Sequence, residues 1–356
     1  MKILLPILGF GKGGGNKVLS SLASEFVRMG HEVHFLSPTQ SEEPYFPTTA
    51  KIFYASVSGK LYTTLIKSKA ISDFPRAMTA LVLGARRLRH ENYDIILANH
   101  SLTVYPVVLS QMKGKRFYYV QAYEPEYYEL LPGLKNRIFK LLSKISYSFN
   151  FKQVVNSALY SGYKNCIQIA PVVLPGMDLE EFYPMEIQAS GSKPLRIGTI
   201  WRPEPTKGSI YVTDAYKEIR RQHPDVEMVL AFAYPEMSEL PGITVVQPHG
   251  SEALANFYRG LDVYICAGVV QHGSVHYPVI ECMAVGTSLI TTHYYPASYD
   301  NAYLIEPGSA TAIVDAFNIW LADEKSRRTK IEKGLESVKQ FSWNAVSEKF
   351  LNIFSE

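Results

Sequence analysis

The chain has 356 residues, of which 47% are hydrophobic and 19% charged, and its formal net charge at pH 7 is +3. This composition is typical of a soluble globular protein, and no run of about 18 apolar residues is present to span a membrane. The length exceeds the usual size of one core, so we expect two domains of about 170 residues each.

The net charge hides a difference between the two parts of the chain. Residues 1–170 contain 21 Lys and Arg against 10 Asp and Glu, whereas the remainder contains 15 against 23. A basic first part indicates an anionic partner, either a membrane surface or a charged acceptor. Nucleic acid is disfavoured as a partner, because no basic motif with interleaved aromatic residues accompanies the charge.

Cysteines and the N-terminus indicate a cytoplasmic protein. Cys166, Cys266 and Cys282 are far apart and lie in apolar runs, which is typical of small core residues in a reducing compartment. No spacing of metal ligands is present, so we expect no metal. The opening MKILLPILGFGKGGG is too short and too rich in glycine for a signal peptide.

The first elements predict a mononucleotide-type βαβ unit. Residues 3–8 form an apolar strand candidate, residues 16–29 a helix candidate and residues 31–37 a second strand candidate. The intervening glycines lack the G-x-G-x-x-G spacing and no acid follows the second strand, which disfavours a nicotinamide cofactor. The backbone amides of Gly14 and Gly15 can approach a bound diphosphate.

Further strands are predicted at residues 52–56, 94–98, 117–121 and 153–156, with helical patterns between them. This alternation favours a mostly parallel sheet whose functional groups follow the carboxyl ends of its strands. At one such end, His100 either belongs to a capped helix start or takes part in catalysis.

The next strand end, QAYEPEYYE at residues 121–129, allows two interpretations. It is either a solvated loop held by aromatic rings, or a place where Glu124 and Glu126, on either side of Pro125, hold an acceptor hydroxyl.

Residues 134–149 combine a basic and an apolar pattern, with Lys135, Arg137, Lys140 and Lys144 among leucines and isoleucines. The pattern predicts either a packed helix with a charged outer face or a helix at a membrane interface. Residues 171–193, rich in proline, acids and small polar residues, predict a linker.

A second set of alternating elements begins with a strand at residues 195–200, followed by WRPEPTKG. Arg202 and Lys207 therefore follow a first strand, where the ligand crevice of such a fold lies. Lys207 stands before a helix, where the helix dipole disfavours a cation that has no anionic partner. Strands follow at residues 226–232, 243–247 and 263–266, and His249 lies in the turn after the second of them.

The stretch 271–292, QHGSVHYPVIECMAVGTSLITT, predicts a polar loop, a short helix and a buried strand. Pro278 suits a first helical position, and Gly286 suits the helix end. Glu281 falls in the first turn, where the positive end of the helix dipole favours a carboxylate even without a ligand. Loops held at helix N-termini in this way bind anions and phosphorylated ligands. The loop consists of His272, Gly273, Ser274, Val275, His276 and Tyr277.

The run PVIECMAVGTSLITT resembles the donor-binding segment of the retaining GT-B glycosyltransferases of family four, roughly E-G-F-G-x-P-x-x-E-A-M-A-x-G-x-P-V-I. GGGNKVLSSLASEFVRMGHEV resembles their G-G-x-x-x-V opening, and LPGMDLEEFYP resembles their P-x-G-V-D-x-x-x-F-x-P signature at the domain crossover. FSWNAVSEKFLNIF resembles their final helix. FYYVQAYEPEYYE is similar to bacterial rhamnosyltransferases of this group. The resemblance runs from Met1 to Phe354.

The resemblance implies an α/β protein of GT-B fold, with two Rossmann-like doubly wound domains facing across a cleft. Residues 1–172 would bind the acceptor and residues 173–340 the nucleotide sugar, and residues 341–356 would form a helix returning to the first domain. Glu281 would hold the ribose, and Arg202 and Lys207 would neutralise the diphosphate. The resemblance assigns further donor contacts to Gly14, Gly15, His249 and residues 272–277. At the strand ends of the first domain, Glu124, Glu126 or His100 would meet the acceptor.

The implied reaction is a metal-independent, retaining transfer by front-face displacement, with a nucleotide sugar as co-substrate and no other cofactor. The acceptor would be a glycan or a lipid-linked glycan of bacterial surface polysaccharide synthesis, reached at the inner face of the cell membrane.

One departure affects the donor. The first Glu of the family's E-x7-E pair falls on Gly273, and His272 and His276 are the nearest polar substitutes. Our hypothesis is an atypical donor, a deoxysugar such as dTDP-rhamnose. Two alternatives stay open: a sugar-phosphate phosphorylase or epimerase of the same fold, and a non-catalytic partner that stabilises another glycosyltransferase.

Overall fold

The computed structural model describes residues 1–11, 13–66, 74–129, 132–185, 194–270 and 272–356. They divide into two compact units, Met1–Gly176 with Trp343–Glu356, and Met177–Ser342. The chain thus enters the second unit at residue 177, four residues later than the expected boundary. Of the expected linker, residues 186–193 lie outside the described residues, as does Gln271 of the central stretch.

The first unit contains a seven-stranded sheet. Its strands are Lys2–Pro6 (β1), Glu32–Pro38 (β2), Lys51–Ala55 (β3), Leu61–Tyr62 (β4), Ile95–Ala98 (β5), Lys115–Val120 (β6) and Lys152–Val155 (β7). They lie in the order β4-β3-β2-β1-β5-β6-β7, and neighbours pair in parallel except β3 with β4. Every residue of β5 is buried, as expected for a parallel sheet that is covered on both faces.

Helices on this sheet are Gly14–Arg28 (α1), Phe74–Leu88 (α2), Val104–Ser110 (α3), Pro125–Glu129 (α4) and Leu134–Ser146 (α5). The short helix α4 lies where the sequence indicated a loop, because Pro125 occupies its first position. The expected strands lie within two residues of the observed bounds in both units.

The second unit contains a six-stranded parallel sheet. Its strands are Arg196–Ile200 (β8), Glu227–Ala231 (β9), Ile243–Val246 (β10), Val263–Cys266 (β11), Ser288–Thr291 (β12) and Tyr303–Leu304 (β13). They lie in the order β10-β9-β8-β11-β12-β13. Its helices are Ser209–Gln222 (α6), Gly250–Arg259 (α7), Tyr277–Ala284 (α8), Ala310–Ala322 (α9) and Glu324–Val338 (α10).

In both sheets the strand order reverses beside the first strand of the unit, between β1 and β5 and between β8 and β11. The loops on the two sides of such a switch point diverge and leave a crevice at the carboxyl ends of the strands. Two Rossmann-like α/β units are therefore present, which confirms the predicted fold class.

The last helix, Trp343–Ser355 (α11), belongs to the first unit. Phe350 is fully buried, and its ring lies edge-on to Tyr119 at 4.9 Å and to Phe26 at 6.3 Å between centroids. The helix thereby completes the core on one face of the first sheet. Among the described residues, no helix combines the length and apolar character needed to cross a bilayer.

Replacing Phe350 by Ala should lower the free energy of unfolding by about 3–5 kcal/mol, because a buried ring is lost and a cavity remains. Lys349→Ala, at an exposed position of the same helix, is the matched control and should change it by less than about 0.5 kcal/mol. Urea unfolding of both variants measures the difference. Similar losses in the two would show that α11 does not contribute to this core.

Candidate functional site

A cavity of about 360 Å³ lies at the switch point of the second sheet. It is formed by the loop after β8, the carboxyl end of β11 and the first turn of α8. A larger hollow of about 670 Å³ lies at the amino ends of β6 and β7, the opposite edge from the one where this fold binds ligands. Residues that line the smaller cavity include Arg202, Glu204, Lys207, Tyr264, Cys266, His276 and Pro278.

One wall of the cavity is the loop from β8 to α6. Gly208 has a φ of +69°, and a Cβ there would lie 1.8 Å from the carbonyl oxygen of Ala267. The amide of Val269 donates to the Thr206 carbonyl at 3.0 Å. Only glycine allows the two loops to approach this closely, and the approach places Lys207 beside the end of β11.

Arg202 lies on the same wall. Its amide donates to the Ser209 hydroxyl at 2.9 Å, which ties the loop to the start of α6. Its guanidinium lies 5.5 Å from the centre of the Phe232 ring. Both predicted diphosphate cations, Arg202 and Lys207, therefore line one cavity.

The loop of residues 272–277 is held by the loop after β12. The Gly273 amide donates to the His293 carbonyl at 2.6 Å, and the Tyr295 amide donates to the Ser274 carbonyl at 3.0 Å. Val275 forms an isolated bridge with Tyr295. His272 Nε2 lies 3.1 Å from the Gly268 carbonyl, to which it donates. Backbone contacts thus determine the course of this loop.

His276 forms part of the opposite wall. Its ring stacks on Tyr294 with 4.6 Å between centroids, and its Nδ1 lies 3.6 Å from Cys266 Sγ. Burial, with a smaller effect of the Lys207 charge, lowers the pKa of His276 to about 4. Burial raises the pKa of Cys266 to about 11. At neutral pH the cavity therefore holds a neutral imidazole and a neutral thiol near two cations.

Glu281 is buried on α8, three residues after Pro278 of the cavity lining. Its Oε2 accepts a hydrogen bond from the Tyr258 hydroxyl at 2.9 Å, and the Tyr258 ring lies edge-on to Tyr264 at 5.0 Å. Burial and the Glu281 charge raise the pKa of Tyr277, the first residue of α8. The carboxylate is held by α8 and by Tyr258, a residue that the sequence did not indicate.

His249 lies apart from this cavity. It precedes α7 at the carboxyl end of β10, the edge strand, and its side chain is exposed. Two strands separate it from β11, so the structure does not bring His249 to the wall formed by Lys207 and His276.

The glycine loop and His100 lie on the two sides of the switch point of the first sheet. Gly14 and Gly15 begin α1, and a Cβ on Gly15 would lie 3.4 Å from the Gln121 side chain. His100 Nδ1 accepts from the Leu102 amide at 3.1 Å, which leaves the proton of the neutral ring on Nε2. Burial lowers the pKa of His100 despite the opposing charge of Glu124, so the ring is neutral at pH 7.

Glu124 and Glu126 differ in environment. Glu124 is buried and accepts from the Ser101 amide at 3.2 Å, the Tyr118 hydroxyl at 3.2 Å and the Tyr147 hydroxyl. Glu126 is half-exposed and forms an ion pair with Lys164, which lowers the pKa of its carboxyl. Glu124 therefore joins the loops after β5 and β6 to the end of α5.

The residues that the sequence did not indicate are mostly tyrosines. Tyr264 precedes the carboxyl end of β11 by two residues, and its place beside a switch point is the one signal that could have found it. Tyr258, Tyr294 and Tyr147 reach their partners through tertiary contacts between separate elements. In the described part of the chain, no group of three or more His, Cys, Asp or Glu is placed to hold a metal ion.

Comparison with known proteins agrees with this architecture. Residues 12–155 match the family described as Glycosyltransferase Family 4, and residues 193–323 match the family described as Glycosyl transferases group 1. The chain is an enzyme, a glycosyltransferase of the GT-B fold. No curated protein sequence matches it significantly. The narrower similarity to rhamnosyltransferases stays a prediction.

Solved structures share the fold at low sequence identity. Sucrose-phosphate synthase from Thermosynechococcus elongatus is 17% identical with a TM-score of 0.72, over 100% of this chain and 98% of its own. A glycosyltransferase from Rickettsia africae is 15% identical with a TM-score of 0.70, over 99% of this chain and 97% of its own. HepE from Anabaena, solved with UDP and glucose, is 15% identical with a TM-score of 0.69, over 100% of both chains.

Gly208→Ala should destabilise the enzyme more than Gly250→Ala. Both glycines have positive φ, but a Cβ on Gly250 meets no atom within 4 Å. We expect a loss of about 1–2 kcal/mol for Gly250→Ala from backbone strain, and about 2–5 kcal/mol for Gly208→Ala because the Ala267 carbonyl must also move. Urea unfolding followed by tryptophan fluorescence measures both. Equal losses would contradict the close approach of the two loops.

The stability of the enzyme should depend on the titration of His276 in acid. Its pKa is about 4 in the folded chain and about 6.5 when unfolded. Between these values the unfolded chain binds a proton that the folded chain does not, so stability falls as the pH drops from 6.5 towards 4. His276→Gln removes this group. The melting temperature of the wild type minus that of the variant should therefore become smaller as the pH drops from 7.5 to 5. A constant or wider difference would contradict the assignment.

Proposed function

We propose that the enzyme transfers a sugar, with retention of anomeric configuration, from a nucleotide-diphosphate donor bound in the second unit. The observation that carries the proposal is the cavity at the β8 and β11 switch point, with Arg202 and Lys207 on one wall and the N-terminus of α8 on the other. Two cations and a helix N-terminus suit a diphosphate, because both favour negative charge.

The chemistry needs stabilisation of the leaving nucleoside diphosphate as its bond to the sugar breaks. Lys207 and Arg202 would neutralise the charge that develops on the phosphate oxygens. The leaving phosphate would accept the proton of the attacking acceptor hydroxyl on the same face of the sugar. The transfer then needs no metal, and the nucleotide sugar is its one co-substrate.

The parts of the donor other than the phosphates would lie along α8 and its loop. Glu281, which also accepts a hydrogen bond from Tyr258, would hold the ribose. Residues 272–277 would contact the transferred sugar. His249 would contact the nucleobase, and the amides of Gly14 and Gly15 would contact the phosphates.

The donor is proposed to be a deoxysugar nucleotide such as dTDP-rhamnose. Gly273 stands in the place of a carboxylate that would bond a sugar hydroxyl, and no atom lies within 4 Å of the position that a Cβ would take there. His272 donates its Nε2 proton to a backbone carbonyl, so the polar side chain of this loop that lines the cavity is the neutral His276. A sugar-facing loop without a carboxylate suits a sugar that lacks a hydroxyl at that position.

The acceptor is proposed to be a glycan or a lipid-linked saccharide of bacterial surface polysaccharide synthesis, met by the first unit at the inner face of the cell membrane. The neutral His100 offers an Nε2 proton to an acceptor oxygen, and Glu126 is accessible at the same edge of the sheet. Glu124 would act by holding the loop that carries His100. The basic charge of residues 1–170 supports an anionic surface or acceptor.

Two of the similar structures support a nucleotide sugar as donor. The HepE structure contains UDP and glucose, and sucrose-phosphate synthase is named for the sugar product that it forms. Both share the whole fold with this chain, although not its sequence.

The donor site can be tested by thermal stability with UDP, GDP, dTDP, ADP and CMP. A nucleotide at about 100 times its dissociation constant should stabilise the enzyme by roughly 2.7 kcal/mol. Lys207→Ala and Glu281→Ala each remove a charged hydrogen-bonding group worth about 1.5–3 kcal/mol, so the dissociation constant should rise about 10- to 150-fold. Lys217→Ala, an exposed lysine on α6 away from the cavity, should leave binding unchanged.

The outcomes separate the candidate functions. Stabilisation by dTDP, followed by turnover of dTDP-rhamnose above UDP- and GDP-hexoses, supports the proposal in full. Best turnover with a UDP- or GDP-hexose contradicts the deoxysugar donor. Absence of stabilisation by every nucleotide would contradict the donor site and favour a non-catalytic partner subunit.

A further inference from the structure

Helix α5 presents four of its apolar side chains to solvent and two small polar side chains to the protein, while Phe139 and Leu142 are partly buried. Leu134, Ile138, Leu141 and Ile145 are 73%, 49%, 58% and 42% exposed, whereas Ser143 and Ser146 are buried. The spacing of four, three and four residues places the four apolar residues on one face of the helix. A helix that only packs on its domain turns such a face inward. We call these four residues the apolar stripe.

The orientation of α5 is fixed by hydrogen bonds on its inner side. The hydroxyls of Ser143 and Ser101 lie 2.8 Å apart, and the Tyr105 hydroxyl donates to the Leu142 carbonyl at 2.7 Å. Immediately after the helix, Tyr147 donates its hydroxyl proton to Glu124. Rotating the stripe inward would break these buried contacts, so its exposure follows from the fold.

The charges around the stripe are positive. At 100° per residue, Arg137 and Lys144 lie along one side of the stripe and Lys135 along the other, and all three side chains are exposed. The helix contains no Asp or Glu. Lys140 lies further back and pairs with Glu129 at 2.7 Å. A second copy of this helix would bring cations against cations, whereas an anionic bilayer offers both acyl chains and negative headgroups.

We propose that α5 is the membrane-docking surface of this enzyme, with its apolar stripe inserted at the headgroup boundary of an anionic bilayer. Arg137, Lys144 and Lys135 meet the lipid phosphates on either side. The inference rests on the proposed function in one respect, since a membrane-borne acceptor gives the docking its purpose. Ser143 contacts Ser101, the neighbour of His100, so the docked bilayer lies one helix away from the proposed acceptor loop.

The test is co-flotation of the full chain with vesicles of phosphatidylcholine alone and of phosphatidylcholine with phosphatidylglycerol. We expect the wild type to float with the anionic vesicles and to bind the neutral ones at least tenfold more weakly. Leu134→Gln with Leu141→Gln should weaken binding to anionic vesicles at least tenfold. The matched control is Ile210→Gln with Ile319→Gln, which replaces two exposed apolar residues of the second unit and should bind as the wild type does.

Failure of the anionic vesicles to bind the wild type, or equal loss in the control variant, would overturn the proposal. So would self-association of the wild type in sedimentation that is abolished by the α5 variant, because the stripe would then be an interface between copies. Circular dichroism melts establish that both variants fold. Nucleotide binding measured on the same samples separates the two proposals. Vesicle binding without nucleotide binding would support the docking surface and contradict the donor site. Nucleotide binding without vesicle binding would contradict only the docking surface.

Discussion

Parallel pairing of strands around β1 and β8 is the constraint on which the functional geometry depends. In a parallel sheet all strands end at one edge, so each loop that follows a strand lies beside the next loop in the sheet. The reversal of strand order between β8 and β11 then separates two of these loops and leaves the cavity lined by Lys207 and His276. The close approach of Gly208 to the Ala267 carbonyl sets how narrow that separation is.

The electrostatics of the cavity follow from burial. His276 and Cys266 are kept neutral by burial, and they line the same cavity as Arg202 and Lys207. In the proposed donor site an anion would meet Arg202 and Lys207, with Glu204 also in the lining, and residues 272–277 contribute no carboxylate. Under the proposed function the two cations would face the diphosphate and the loop without an acid would face the sugar, which favours a sugar with few hydroxyls to bond.

The first unit uses a buried carboxylate for a structural purpose. Glu124 accepts hydrogen bonds from Ser101, Tyr118 and Tyr147. These hydrogen bonds join two strand ends to the end of α5. The same contacts hold His100 at the edge of the sheet and turn the apolar side of α5 to solvent. Acceptor chemistry and membrane docking would thus depend on one hydrogen-bonded cluster.

The sequence by itself determined the alternation of strands and helices, the two-domain division and the loops that follow each strand, because periodicity, glycine and proline act locally. It also indicated Arg202, Lys207 and His276, which the structure brings to one cavity. Only the tertiary structure decided that Glu281 bonds Tyr258, that two strands separate His249 from β11 and that Glu124 is buried. It likewise decided which way α5 faces. A helical pattern predicts an apolar stripe but not its direction, since that depends on contacts such as Ser143 with Ser101, 42 residues apart in the chain.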